Sequence, residues 1–326
     1  MDYQLASFLF VLLGITLLLF GGASLVKGAS GIAQSLNVPS IIIGLTVVAF
    51  GTSAPELVIN ITGALQGKTD LAFGNAVGSN LANFGLVLGI AAIMSPIYLQ
   101  GRVIRREVPF FLLITAILLV MVWDQQLSGT LALLDRGDAI ILFLLFTVFV
   151  YFMVRDFITE EDDPLLAEGD SISSEEGSNT LLNTVLVIVG FVLLVVGGEM
   201  TIEHGVEVAQ IMGVSEVVIG MFILAVGTSL PELVTSAIAA YKKETDLALG
   251  NIVGSNIFNS LVVLPAAAII RPLPIPQGGD WDLAVGGLFV LVTIPLFLFS
   301  NARLGRLAGV GLLFGYFFYL YLRFNF

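Results

Sequence analysis

The 326-residue chain is 57% hydrophobic and only 12% charged, with a mean hydropathy of +1.01. Soluble domains carry charge on about a quarter of their residues, so this composition excludes a soluble fold and places the chain in a bilayer. It has no cysteine and a single histidine, His204, which excludes disulfides, thiolate metal sites and histidine metal clusters. The formal net charge of -12 is local, because nine of the acids fall between Asp156 and Glu176.

In chain order, apolar runs long enough to cross the hydrocarbon core predict ten helices. They cover roughly 5–27, 40–66, 70–95, 107–124, 138–155, 180–203, 215–241, 246–270, 282–300 and 305–322. The first run follows Met1-Asp2-Tyr3-Gln4, which has no basic segment, and reads as a span rather than a cleaved signal. The stretch 156–179 is the one long hydrophilic connection. Its acidic block, Glu160-Glu161-Asp162-Asp163, reads as a solvated linker between a first half, 1–155, and a second half, 180–326. A calcium-sensing role is the alternative, but the linker lacks the EF-hand spacing.

Basic residues orient the chain. With the N-terminus outside, Lys27, Arg102, Arg105, Arg106, Arg155, Lys242, Lys243, Arg303 and Arg306 face the cytoplasm, as does the acidic linker. Only Lys68, Arg136, Arg271 and Arg323 face outward. The expectation is a multi-pass protein of the plasma membrane with both termini outside. Trp123 and Trp281 fall near span ends, where aromatic belts lie.

The strongest signal is self-similarity at a shift of 176 residues: Gly44–Leu88 aligns with Gly220–Leu264 without a gap, with about half the positions identical. The first copy (α-repeat 1, about 40–95) reads GLTVVAFGTSAPELV and then KTDLAFGNAVGSNLAN. The second (about 215–270) reads GMFILAVGTSLPELV and then ETDLALGNIVGSNIFN. Gly21-Gly22 and Gly197-Gly198 extend the match upstream. Each helix of the second copy lies five spans after its counterpart. An odd number turns the copy upside down, so the expected fold is an all-α polytopic membrane protein with ten transmembrane helices in two inverted-topology repeats of five. Such folds place their substrate near the midplane, where interrupted helices of both halves meet.

The repeated segments supply the chemistry. Pro55 and Pro231 lack an amide hydrogen and displace the carbonyl four residues back, freeing oxygens around Gly51-Thr52 and Gly227-Thr228. Free carbonyls at membrane depth are tolerated only inside protein or a cavity, where a hard cation can satisfy them. A carboxylate at mid-membrane costs at least ~2.5 kcal/mol on insertion scales. Glu56 and Glu232 therefore demand a cation or proton between them, and no basic residue lies in a span interior to pair with them. Ser79 and Asn83 share one helix face, as do Ser255 and Asn259, and all four are candidate oxygen ligands. Asn75, Asn80, Asn251 and Asn256 read first as interhelical hydrogen-bonding groups, Asp70 and Asp246 as helix N-caps, and the glycines four apart (Gly74 and Gly78, Gly250 and Gly254) as close-packing positions. Roughly six to eight oxygens at flexible distances suit Ca²⁺, whereas Mg²⁺ resists dehydration.

These paired motifs resemble the α-repeats of the calcium:cation antiporter superfamily, especially prokaryotic sodium/calcium exchangers. The resemblance implies Glu56 and Glu232 as shared Ca²⁺/Na⁺ ligands, with backbone oxygens from Thr52 and Thr228. It implies flanking sodium sites around Ala49, Ser79, Ala225 and Ser255, with Ser53 and Ser229 nearby, and a first and sixth helix that slide across the core. One position departs: Asn259 stands where such exchangers often carry Asp. The centre then holds at most -2, which one Ca²⁺ or two Na⁺ would balance, and the familiar three-sodium stoichiometry is not required by charge. The linker also has no room for the large regulatory domains of animal relatives.

The function these features imply is secondary active exchange of Ca²⁺ for Na⁺, with no cofactor and no nucleic-acid partner. A Ca²⁺/H⁺ antiporter is the alternative, since both glutamates could carry protons, and a passive cation channel is a further one. An enzyme is disfavoured by the absence of paired aspartates, HExxH or a Ser/His dyad in the spans. Oligomeric state is left open, a monomer being sufficient.

Overall fold

The computed structural model describes residues 2–36, 38–98, 106–124, 127, 129, 131–159, 180–212, 227–298 and 303–325. The linker from 160 to 179 and the first part of the second repeat, including Ala225, lie outside the described residues.

The described chain is nearly all helical. Its helices are α1 (Asp2–Ser35), α2 (Ser40–Thr52), α3 (Ala54–Leu65), α4 (Thr69–Met94), α5 (Val108–Val122), α6 (Arg136–Thr159), α7 (Thr180–Ile211), α8 (Leu230–Tyr241), α9 (Thr245–Ile270), α10 (Gly279–Leu298) and α11 (Arg306–Asn325). Among the described residues, five helices are long and apolar enough to cross a membrane by themselves, and the bent pair α2–α3 adds a sixth. Large apolar side chains face outward along them: Leu12 is 61% exposed, Phe20 64% and Leu181 74%. Lipid tails are the medium in which such surfaces cost nothing, and the protein is a membrane protein.

Three expectations need correction. The first and sixth helices do not stop at 27 and 203 but run to Ser35 and Ile211, 34 and 32 residues long. At 1.5 Å per residue each is roughly 50 Å, longer than the hydrocarbon core, so their polar ends continue the helix outside it. The expected continuous span 40–66 is two helices. The fold is also not purely α: β1 (Ile97–Tyr98) pairs antiparallel with β4 (Arg303–Leu304), and β2 (Leu133–Leu134) with β3 (Leu273–Pro274). Each clip ties the chain after one repeated helix, α4 or α9, to the segment that starts a helix of the other half. Two-residue strands are too short to leave a periodic signature.

Helices α1 and α7 form one antiparallel pair. A Cβ on Gly21 would lie 2.9 Å from the amide nitrogen of Leu194, and one on Gly28 would lie 2.6 Å from the carbonyl oxygen of Asn183. The backbones therefore touch along a seam of small residues, the packing that helices use where no hydrophobic force separates them from lipid. The core forms differently. α9 lies against α2, with Gly250 facing the carbonyl of Ile41 and Gly254 that of Leu45, each 2.6 Å from where a Cβ would stand. Among the described residues nothing lies within 4 Å of the same positions at Gly74 and Gly78, whose corresponding partners fall in the undescribed segment.

Candidate cation site

Two helix breaks build the site. α2 ends at Thr52, Ser53 leaves helical geometry at φ -86°, ψ 7°, and α3 departs at 42°. The second copy repeats the break at Ser229, with φ -86° and ψ 9°. The interruption expected at the prolines takes the form of a full break at Ser53. Pro55 and Pro231 sit in the first turn of the new helix, where a missing N–H leaves no bond unmade. Glu56 and Glu232 occupy the same first turns, at the positive ends of the α3 and α8 dipoles, and neither has any exposed surface.

The Ser-x-x-Glu spacing at each break is the signature of a helix capping box, yet neither serine makes a side-chain cap. Ser53 instead donates its hydroxyl across the molecule to Glu232 Oε1 at 2.9 Å. On the other side, Ser79 donates to Glu56 Oε1 at 3.5 Å, and its Oγ lies 3.2 Å from Thr228 Oγ1. Thr52 donates to Asn251 Oδ1 at 3.0 Å and lies 3.5 Å from Ser255 Oγ. Ser255 in turn donates to the Ala49 carbonyl at 3.4 Å. The two carboxylates repel each other electrostatically.

Oδ1 of Asn83 and Oε2 of both Glu56 and Glu232 are buried with no hydrogen-bond partner, as are both polar atoms of Asn259. Orphaned buried polar atoms are rare and costly, and oxygens dominate this set. A hard cation fits them. Among the described residues no lysine or arginine is buried, so no side-chain cation competes for the position.

The structure brings Glu56, Glu232, Thr52, Thr228, Ser53, Ser79, Ser255 and Ala49 into one hydrogen-bonded neighbourhood, with Asn83 and Asn259 buried on the same two helices as the serines. Ser229 is buried at the second break with no cap bond, and Ala225 lies outside the described residues. The other asparagines pack helices together. Asn75 donates to Asn60 Oδ1 at 2.7 Å, Asn251 to Ser236 Oγ at 2.9 Å, Asn80 to Ser260 Oγ at 2.9 Å and Asn256 to the Asn80 carbonyl at 3.1 Å. Asp70 and Asp246 are not caps, because the N-cap positions fall on Lys68 and Glu244. They lie in the first turn, where their charge still favours the dipole.

Sequence reading missed two features. Asn60 and Ser236 stand four residues after Glu56 and Glu232, on the same helix face, and anchor the Asn75 and Asn251 amides behind the carboxylates. Their spacing was a usable signal. The second feature is a widened π-helical turn that begins at Asn83 and again at Asn259. Such turns cluster at functional sites because the extra residue re-aims a side chain, and no residue pattern in the sequence marks them.

Comparison with known proteins agrees with this geometry. The sodium/calcium exchanger protein family model matches residues 6–155 and 182–325. The chain is 39% identical over 325 residues to the putative antiporter CaxA of Alkalimonas amylolytica, covering 99% of this chain and 100% of that protein. It is 29% identical over 336 residues to the sodium/calcium exchanger MaX1 of Methanosarcina acetivorans, covering 95% of this chain and 96% of the relative. A solved structure of the sodium-calcium exchanger NCX_Mj superposes with a TM-score of 0.80 at 29% identity, covering 96% of this chain and 97% of the other. The chain belongs to the sodium/calcium exchanger protein family.

Proposed function

We propose that the protein is a secondary active antiporter that exchanges Ca²⁺ for Na⁺ by alternating access at a midplane site, extruding Ca²⁺ down the sodium gradient. The observation that carries this reading is the Glu56–Glu232 pair: two fully buried carboxylates, each with one unpartnered oxygen, and no buried lysine or arginine among the described residues. Removing Ca²⁺ from two carboxylates requires replacement positive charge, which is the physical basis of exchange rather than simple release.

In this reading Glu56 and Glu232 are shared ligands. Thr52 and Thr228 contribute backbone oxygens, and Ser79, Ser255, Asn83 and Asn259 side-chain oxygens. Ala49, Ser79, Ala225 and Ser255 belong to the flanking sodium positions, with Ser53 and Ser229 nearby. The chain makes ten spans in two inverted repeats of five, divided into halves 1–155 and 180–326 by a cytoplasmic linker, in the plasma membrane with both termini outside. The near-identical breaks at Ser53 and Ser229 and the paired π turns support the repeat, as does the likeness to a solved exchanger.

The test is ion flux in proteoliposomes. Ca²⁺ uptake is expected only with an outward Na⁺ gradient. Equal uptake driven by a pH gradient without Na⁺ would replace sodium with the proton as coupling ion. Ca²⁺ flux without any counter-ion would make the protein a channel.

A further inference from the structure

On the ligand reading of Asn83 and Asn259 given above, we propose that Asn256 is a positioning residue. Through an amide relay across the α4–α9 contact it fixes which atom of Asn83 is offered to an ion, and Ser260 withholds the equivalent relay from Asn259.

An asparagine amide has an acceptor oxygen on one side and a donor nitrogen on the other, and only the oxygen serves a cation. Which side faces where is settled by a partner that can play a single role. The relay contains one. Asn256 Nδ2 donates to the backbone carbonyl of Asn80 at 3.1 Å, and a carbonyl only accepts. Asn256 must therefore turn Oδ1 toward Asn83, which meets it with Nδ2 at 2.8 Å. That leaves Asn83 Oδ1 free to meet an ion, with no partner among the described residues. Asn83 and Asn256 are both fully buried. Reversing the Asn83 amide would set oxygen against oxygen where solvent does not relieve the loss.

The 176-residue repeat predicts a matching relay in which Asn80 donates to the Asn256 carbonyl and Asn259 to Asn80 Oδ1. A different pattern stands in its place. Asn80 Nδ2 donates to Ser260 Oγ at 2.9 Å. Among the described residues Asn80 Oδ1 has no partner, and neither has Oδ1 or Nδ2 of Asn259. The sequence supplies the reason. Position 260 corresponds to Phe84 in the first copy, so no hydroxyl there competes with the Asn80 carbonyl for the Asn256 amide. Ser260 offers such a hydroxyl and takes the Asn80 amide. Two asparagines that the repeat makes equivalent thus become unequal ligands. Asn83 is pre-set with its oxygen free, whereas an ion must orient Asn259 itself and loses affinity by doing so.

The test is Ca²⁺ titration calorimetry on the full-length protein in detergent. Asn256→Leu releases the Asn83 amide and is expected to weaken Ca²⁺ binding roughly tenfold, the worth of a lost orienting hydrogen bond at its upper end. A purely structural role for Asn256 would produce a loss as well, so the deciding readout is the double variant. In an Asn83→Ala background there is no amide to orient, and Asn256→Leu should then cost no further affinity. Losses that add would overturn the relay. Ser260→Ala reads the other half and does not depend on Asn256→Leu folding. It returns the Asn80 amide to the Asn256 carbonyl and should tighten Ca²⁺ binding about threefold by orienting Asn259. The gain should vanish when Asn259→Ala is added. Unchanged or weaker binding in Ser260→Ala, or a gain that survives Asn259→Ala, would overturn the role of Ser260. If the wild type binds no Ca²⁺, or Asn83→Ala binds it as tightly as the wild type, the ligand reading fails and this proposal falls with it.

Discussion

The outer helix pair α1–α7 and the central pair α4–α9 are all apolar enough to cross a membrane, the central pair less so, and the two pairs do opposite things with their side chains. In their most apolar stretches, 33% of residues are buried in each of α1 and α7, against 72% in α4 and 83% in α9. The outer pair shows lipid its leucines and phenylalanines and joins along a seam of glycines. The central pair turns its amides and hydroxyls inward, where α3 and α8 present the two glutamates. The difference teaches that membrane depth alone does not define a core. Enclosure by other helices lets α4 and α9 keep Asn and Ser at positions that would be costly against lipid.

If polar chemistry belongs to the central region and smooth packing to the outer one, changes in the two regions should separate in kind. The largest effect is expected from Glu56→Gln and Glu232→Gln, each of which leaves a buried ion without half of its balancing charge. Ca²⁺ transport in proteoliposomes should fall roughly 100-fold or more while the protein remains extractable and folded. Retained transport in either variant would remove the centre from the site. Next comes the seam. Gly28→Leu forces a side chain against the Asn183 carbonyl, and overpacking of this kind costs about 1–3 kcal/mol. Thermal unfolding in detergent should fall, with transport reduced more than Ca²⁺ affinity if α1 and α7 move together during the cycle.

A smaller loss is expected from Ser53→Ala, which removes the 2.9 Å hydrogen bond to Glu232. The apparent Ca²⁺ affinity should weaken roughly tenfold, the worth of a hydrogen bond to a charged group. An unchanged affinity would mean that Ser53 only fills the break. The smallest effect is reserved for Leu12→Ala on the lipid face of α1, where transport and stability should stay within about a factor of two. A large loss there would mean that this face meets protein rather than lipid.

Much of the candidate site was legible. A glutamate beside a proline inside an apolar run is rare enough to notice, and the 176-residue shift doubled every such clue. The repeat did not by itself separate candidate ligands from packing residues, because Asn75/Asn251 and Asn80/Asn256 recur in register as Ser79/Ser255 and Asn83/Asn259 do. Local geometry was less accessible. The prolines pointed to interrupted helices, but the residue at which each interruption falls depends on what accepts the freed groups. The Ser-x-x-Glu spacing points to local capping boxes, whereas Ser53 spends its hydroxyl on the glutamate of the other copy, a partner 179 residues away. The short strands and the true ends of α1 and α7 were hidden for a related reason: they are set by contacts between the two halves, not by local composition.

The sequence by itself determined that this chain lives in a membrane, that it is duplicated, and that Glu56 and Glu232 are carboxylates set inside apolar spans. Those facts follow from hydrophobicity, self-alignment and the cost of charge in hydrocarbon, which need no coordinates. Only the tertiary structure decided that the helices break at Ser53 and Ser229, that π turns begin at Asn83 and Asn259, and that the orphaned oxygens of Glu56 and Glu232 lie in one enclosed neighbourhood. The physical reason is that hydrogen-bond satisfaction in a low-dielectric interior is a global condition. A buried polar atom is partnered or left free according to what the opposite half of the molecule brings to it.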